Sequence, residues 1–296
     1  MNPPLPEPRA SPEPVVPCRA STSSAPPTVP ASNLVNPVTR DHISHSSLQT
    51  YRQCPLKYYF KYVAALREAT IPATFVFGRC VHSALECHFN ELLAGGAAPS
   101  LDTLLGAFQE GWEEHPPESI KYQKSETRDG LGRLADRLLR AFLDSDFARP
   151  IGRIIGVEEE LRGAIIPGAP PLLARLDLLT ETDDAITVTD FKTARSAWSN
   201  QTAEDAGSQQ LLLYGELVRQ LLPHKPLRLE FIVAAKTKEI SIARHTVAFN
   251  QHSLARTKRI AERVWHAIEA QHFYPNPSAM NCPSCPFRDP CRRWTG

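Results

Sequence analysis

The sequence predicts a mixed α/β fold in which helices flank a central mixed sheet. Three observations point to it. Residues 75–93 repeat apolar side chains at helical spacing. Three runs between 153 and 192 are rich in branched apolar residues and separated by turn residues. A second helical stretch, 203–222, then leads into two more strands.

The elements follow in order. Ordered structure is expected to begin near Ile43, with Ser44 to Ser47 offering helix caps ahead of Leu48, Tyr51, Arg52, Pro55, Tyr58, Tyr59 and Tyr62. Pro55 fits a fresh helix start and not a helix interior, because it lacks an N–H. In 75–93, Val81, Leu85, Phe89 and Leu92 form one stripe, and Gly95-Gly96 ends the helix. Helices are expected at 101–113 and 119–147. Strands are expected at 153–166, 172–180 and 185–192, with Thr182-Asp183-Asp184 as the turn between the last two. Residues 228–235 and 239–248 read as a hairpin around Lys236-Thr237-Lys238. A helix over 252–271 precedes a tail rich in Pro and Cys.

Residues 1–40 are different material. They hold 11 of the 27 prolines and no aromatic residue. Such a segment cannot bury enough apolar surface to offset ordering, so it reads as a disordered tail that includes Cys18. Residues 41–296 then form one domain, with 274–296 as its cysteine-rich segment. The net charge of +1 does not advertise a polyanion partner, so any nucleic-acid surface must be a local patch. No apolar run approaches the ~20 residues that span a bilayer, and no secretory signal is expected at the N-terminus. Seven cysteines without an export signal favour metal or cofactor binding over disulfides, which places the chain in the cytoplasm.

The chemistry concentrates in two short strings, Arg175-Leu176-Asp177 and Asp190-Phe191-Lys192. Strand side chains alternate, so Asp190 and Lys192 share a face with Val188 and Ile186. A register that sets 177 opposite 190 brings the two carboxylates together. Hard divalent ions take oxygen ligands, and an adjacent lysine offsets developing negative charge. The set suits phosphodiester hydrolysis; an exposed hairpin with ordinary surface charges would carry the same residues. His82, with Glu86 one turn on, is either a further ligand or a packed histidine. Gln210 and Tyr214 share a helix face shortly after the lysine, either to orient a phosphate or the lysine, or as an amphipathic boundary. Glu158 and Glu160 share a strand face, near the site or simply solvated. Arg52, Lys57, Tyr58, Tyr59, Lys61 and Tyr62 interleave cations and aromatics, as a strand-binding surface or as a helix with buried tyrosines.

Cys282-x2-Cys285-x5-Cys291 and the distant Cys54 provide four thiolates, a set for tetrahedral Zn²⁺ or a [4Fe–4S] cluster. Either would clamp the first helix to the C-terminus. Cys80 and Cys87 read as small buried apolar residues.

In their order along 44–294, these pieces resemble the PD-(D/E)XK nuclease superfamily, and within it the RecB-like exonuclease branch with a C-terminal iron–sulfur motif, similar to AddB nuclease domains and CRISPR-adaptation nucleases. The carrying motifs are Ser47-Leu48-x2-Tyr51-x2-Cys54-Pro55-x2-Tyr58, Gly78-x3-His82-x2-Leu85-Glu86, Arg175-Leu176-Asp177, Asp190-Phe191-Lys192-Thr193, Gln210-x3-Tyr214 and the cysteine set. Ala174 stands where the family usually has glycine. The resemblance implies a restriction-endonuclease-like fold with an iron–sulfur staple joining its N- and C-terminal parts. It implies His82, Asp177, Asp190 and the Phe191 carbonyl as ligands of Mg²⁺ or Mn²⁺, and Lys192 as the catalytic lysine. Gln210 and Tyr214 match the branch motif, and Cys54, Cys282, Cys285 and Cys291 match the [4Fe–4S] ligands. The expected activity is metal-dependent hydrolysis of single-stranded or frayed DNA in repair, recombination or defence. The expected partners are DNA and a separate helicase or other repair or defence protein, with no membrane. The rivals are a non-catalytic iron–sulfur DNA-binding or scaffolding module of a helicase–nuclease complex, and a zinc-stapled enzyme of other chemistry.

Overall fold

The computed structural model describes residues 40–295, and the Pro-rich segment with Cys18 lies outside the described residues. Strand β1 (Ile43–Ser44) leads directly into helix α1 (His45–Gln53). Ser44 accepts from the Ser47 amide and Ser47 returns a bond to the Ser44 amide, a reciprocal cap that stops the strand and starts the helix. Pro55 opens α2 (Pro55–Tyr58), where a missing N–H is harmless, and the chain continues as a π-helical turn over Tyr59–Val63. The two-residue strand β2 (Ile71–Pro72) precedes α3 (Ala73–Leu93), and α4 (Leu101–Glu113) is capped by Ser100.

The expected helix over 119–147 is shorter. Residues Ile120–Lys121 form strand β3 beside β2, and Thr127 caps α5 (Arg128–Leu143) by accepting from the Gly130 amide. That cap offers the first amides of α5 a partner only when the helix begins after it. Strands β4 (Arg153–Gly163), β5 (Leu172–Glu181) and β6 (Ile186–Ala194) follow. The first is shorter than expected, because Ile165 and Ile166 are buried in the core beyond its end. Helix α6 (Asn200–Leu221) starts three residues early, since Ser199 caps it through Thr202. Strands β7 (Leu227–Ala235) and β8 (Ser241–Val247), helix α7 (Gln251–Glu269) and a short α8 (Arg288–Arg293) inside the expected tail complete the chain.

The main sheet has six strands. Strands β4-β5-β6-β7-β8 run side by side with β1 also beside β5, and the β1–β5 and β6–β7 pairs are parallel while the others are antiparallel, with α6 as the crossover from β6 to β7. It is a mixed sheet flanked by helices, as the sequence predicts. One core lies between the sheet and α1, α6 and α7, with Leu176, Val188, Leu211, Phe231 and Trp265 at its centre. A second lies between the sheet and α3, α4 and α5, built on Phe77, Phe89, Phe108, Leu138 and Phe191. Among the described residues no helix is long and apolar enough to cross a membrane.

Two irregularities prepare the site. Strand β1 pairs with β5 at Leu172 and Leu173, and β6 pairs with the same edge only from Leu178 onward. Residues 174–177 therefore have no strand beside them on that edge. Leu176 packs in the first core but Leu178, two residues on, packs in the second. Residues i and i+2 of a regular strand share a face, so β5 turns over at Asp177.

The N- and C-terminal parts are joined by direct contacts. Tyr51 donates to the His272 carbonyl (2.7 Å), Leu56 N to Tyr274 O (2.9 Å), and the Asn276 side-chain amide to Gln53 O (3.0 Å). Leu56, Phe60 and Phe287 form a small apolar cluster against Cys54, Cys285 and Cys291. The aromatics of 51–62 go into this packing. Tyr58 is buried, and Tyr59 and Tyr62 lie half-buried against the first core.

Gly207 and Gly215, two turns apart on α6, let that helix lie close to Phe231 and Leu229 of β7. A Cβ at 207 would overlap the Phe231 ring. Gly207→Ala is therefore expected to lose about 1–3 kcal/mol by overpacking, read as a lower urea midpoint with an unchanged m-value.

Candidate metal centre

Asp177 lies where the β5–β6 ladder ends, one step beyond the Leu178–Thr189 pair. In place of a neighbouring carbonyl, its Oδ2 accepts the Phe191 amide at 2.7 Å. The other oxygen, Oδ1, lies 3.5 Å from His82 Nδ1 on α3. The same nitrogen is 3.6 Å from Glu158 Oε1 on β4. Among the described residues, His82, Glu158 and Asp177 bring three ligand atoms within 4.8 Å of one another.

Glu158 reaches this group through its backbone. Its φ is +48°, a left-handed conformation inside a strand that keeps one register with β5 from Gly156 to Gly163. Simple alternation would put Glu158 and Glu160 on one face. The positive φ separates them, and Glu160 instead pairs with Arg162 at 3.3 Å. Left-handed φ in a non-glycine residue costs about 1–2 kcal/mol. Here it buries a carboxylate beside two other titratable groups, a position where such strain commonly has a use.

A second arrangement adjoins the first. Asp190, 3 % exposed, accepts from Gln210 Nε2 at 2.7 Å and faces Lys192 Nζ at 2.5 Å. Lys192 also donates to Gln210 Oε1 at 3.2 Å, and Gln210 Nε2 reaches Tyr214 Oη at 3.2 Å. Asp190 and Lys192 lie on one face, as strand alternation predicts, and there they form an ion pair. Gln210 and Tyr214, one turn apart on α6, hold the lysine and carboxylate in place. Phe191 contributes its amide to Asp177, while its ring stacks on Phe89 with centroids 5.4 Å apart.

The charges set one another. Burial pushes the Asp190 carboxyl up, against the attraction of Lys192 and with repulsion from Asp177, to about 6. Asp177 is also raised by burial, but His82, Lys192 and the Phe191 amide outweigh that and hold it below the usual carboxylate range. Burial lowers His82, yet Asp177 and Glu158 raise it well above the usual imidazole value. Burial likewise lowers Lys192, and Asp190 and Asp177 more than reverse it. At neutral pH without a metal, His82 is an imidazolium standing between two carboxylates, and Lys192 is an ammonium.

The group opens into a cleft of about 730 Å³ lined by α3, the end of α4, and the site strands. Glu86 lies in it, as does Arg175, whose Nε is 4.0 Å from Glu158 Oε2. The structure thus gathers His82, Asp177, Asp190, Lys192, Gln210 and Tyr214 around one place and adds Glu158. Sequence spacing carries no signal that separates Glu158 from Glu160. The donors are carboxylate oxygens with one imidazole, which fits a hard divalent ion such as Mg²⁺ or Mn²⁺.

The four expected cysteines share a different neighbourhood. Cys54 accepts the Asn276 amide (3.4 Å) and Cys282 the Ser278 amide (3.3 Å). Burial raises the Cys291 thiol, and Cys54, Cys285 and Cys282 raise it further. No three of the sulfurs lie within 4.8 Å of one another. Cys80 and Cys87 are buried, as expected of packing residues.

A family model for the PD-(D/E)XK nuclease superfamily matches residues 42–292. A crystal structure of a protein from Eubacterium rectale, described as an exonuclease candidate, is 14% identical. It covers 91% of this chain and 94% of its own, with a TM-score of 0.57, a likeness of fold alone. The crystal structure of SSO0001 is 16% identical over 82% of this chain and 92% of its own, with a TM-score of 0.30, too low to define a shared fold. No curated protein matches the chain.

Two outcomes follow from this geometry. Glu158→Ala and Glu158→Gly both remove the carboxylate, but only glycine relieves the positive φ. Both are expected to bind Mn²⁺ more weakly, with Glu158→Gly about 1 kcal/mol more stable than Glu158→Ala in urea unfolding. A proton and a metal also compete for the His82 imidazole. Its raised pKa means that Mn²⁺ binding at pH 7 should release about one proton, and that affinity should climb as pH rises. Calorimetry in buffers of different ionisation enthalpy reads that release, which His82→Ala should abolish.

Proposed function

The chain belongs to the PD-(D/E)XK nuclease superfamily, and from that footing we propose that it is a metal-dependent deoxyribonuclease that degrades single-stranded or frayed DNA from its ends. The observation that carries this reading is the meeting of His82, Glu158 and Asp177 with the Asp190–Lys192–Gln210 set, beside an open cleft that His82, Glu158, Asp177 and Lys192 line.

In this reading Asp177, Asp190 and Glu158 hold Mg²⁺ or Mn²⁺, with His82 and the Phe191 carbonyl as further ligands. Such an ion, when bound, polarises a phosphoryl oxygen and lowers the pKa of a water. The chain's own groups do the rest. Lys192 is an ammonium at neutral pH, so it serves as a hydrogen-bond donor to the attacking water or to the phosphoryl oxygens that gain charge. Gln210 accepts from Lys192 and donates to Asp190, which keeps the cation from collapsing onto a second carboxylate. Tyr214, buried and with its phenol pushed well above its usual value by that burial, stays neutral and anchors Gln210.

Cys54, Cys282, Cys285 and Cys291 hold a [4Fe–4S] cluster in this reading. Soft thiolates favour iron–sulfur or zinc over hard ions. The cluster would reinforce the contacts that already join α2 to the C-terminal segment. Residues 41–296 form the catalytic domain and 1–40 a tail, in a cytoplasmic protein. DNA is the substrate, and a separate helicase or other repair or defence protein supplies unwound strand.

The test is incubation of anaerobically purified protein with end-labelled single- and double-stranded DNA, in Mg²⁺, Mn²⁺ or EDTA. Stepwise metal-dependent shortening is expected, reduced at least ~100-fold in Asp190→Ala and Lys192→Ala. Iron and acid-labile sulfide at about four each per chain are expected in the same preparation. DNA binding without cleavage by the folded protein would point to a scaffolding module, and stoichiometric zinc would replace the cluster.

A further inference from the structure

The aromatics that the sequence offers for stacking on a nucleic-acid strand are used elsewhere. Tyr58 is fully buried, and Tyr59 and Tyr62 pack against the first core. Phe75 is different. It is 61 % exposed, although its neighbours Ala73, Val76 and Phe77 are completely buried. A lone exposed phenylalanine is ordinary on a protein surface. The position of this one is not. It lies in the first turn of α3, at the lip of the cleft that holds His82, Glu158, Asp177 and Lys192.

Residues 75, 79, 82 and 86 fall on one face of α3, and all four line that cleft. Seven residues separate Phe75 from His82, about 10 Å along the helix, which is the rise of about three stacked nucleotides. Between them Arg79 is exposed and set for a phosphate. One helix face therefore offers, in order, a ring, a cation and the metal-site histidine.

We propose that Phe75 stacks on an unpaired base of the substrate strand a few nucleotides from the scissile phosphate, and that this contact selects single-stranded or frayed ends over intact duplex. This rests on the nuclease reading above. An unpaired base offers a free π-face to an aromatic side chain, and the contact tolerates any sequence. Inside a duplex both faces of each base are covered by its neighbours, so a base a few nucleotides in from the end can meet Phe75 only where the strand is frayed or single.

The experiment compares the wild-type protein with Phe75→Ala and Phe75→Trp. The substrates are a single-stranded oligonucleotide and a strand of equal length made of abasic nucleotides. Phe75→Ala should raise KM for the base-bearing strand about 10- to 100-fold with kcat little changed. Phe75→Trp should restore it, and the abasic strand should be degraded equally by all three. An unchanged KM, or an equal loss on the abasic strand, overturns the stacking role while leaving the nuclease reading in place. Failure of the wild-type protein to cut either strand with Mg²⁺ or Mn²⁺ removes the nuclease reading, and this inference with it.

Discussion

The bond from the Phe191 amide to Asp177 Oδ2 is the constraint on which the site depends. Strands β5 and β6 must separate for side chains from both to reach a common cleft. Separation inside a sheet would leave a backbone amide without a partner, at a desolvation cost of about 1–3 kcal/mol. Here a carboxylate supplies the missing acceptor. The same bond fixes the Asp177 side chain, so its second oxygen faces His82 without further adjustment. Opening the sheet and orienting a ligand are one act.

Charge balance follows from that opening. Three carboxylates, from Glu158, Asp177 and Asp190, are drawn into a half-buried space where mutual repulsion would be severe. His82 between Glu158 and Asp177, and Lys192 beside Asp190, supply two positive charges. The imidazolium stands where a divalent ion fits, and its proton is the one that must leave when a metal arrives. Lys192 is held by Gln210 as well as by Asp190, so its place does not depend on the carboxylate's ionisation alone.

The frame around this centre is closed from both ends of the described chain. Helix α6 lies flat on β7 because two glycines face the sheet, and this close approach brings Gln210 within reach of Asp190 and Lys192. The first helices pack against the C-terminal segment through Tyr51, Tyr58 and Phe273, with the Tyr58 and Phe273 rings stacked at 6.3 Å. The cysteines lie on this seam. A group bound there would link segments more than 220 residues apart and lower the entropy of the unfolded chain.

Much of this was legible in the sequence, and the reason is local. Helical stripes, branched-residue runs and serine or threonine caps depend on neighbours within a few positions, so the order of elements and the mixed α/β class could be read directly. The alternation of Asp190 and Lys192, the one-turn spacing of Gln210 and Tyr214, and the buried Cys80 and Cys87 belong to the same kind of information. What only the tertiary structure decided depends on pairings between distant strands. Glu158 enters the centre and Glu160 leaves it because of one left-handed residue. The tyrosines of 51–62 turn inward because a remote segment around Phe273 covers them. The ladder stops at Asp177 because β1 and β6 share one edge of β5 and leave a gap between them. Residue spacing encodes which face a side chain takes on its own strand or helix. Where two strands part, and what then fills the space, is set by packing across the whole sheet.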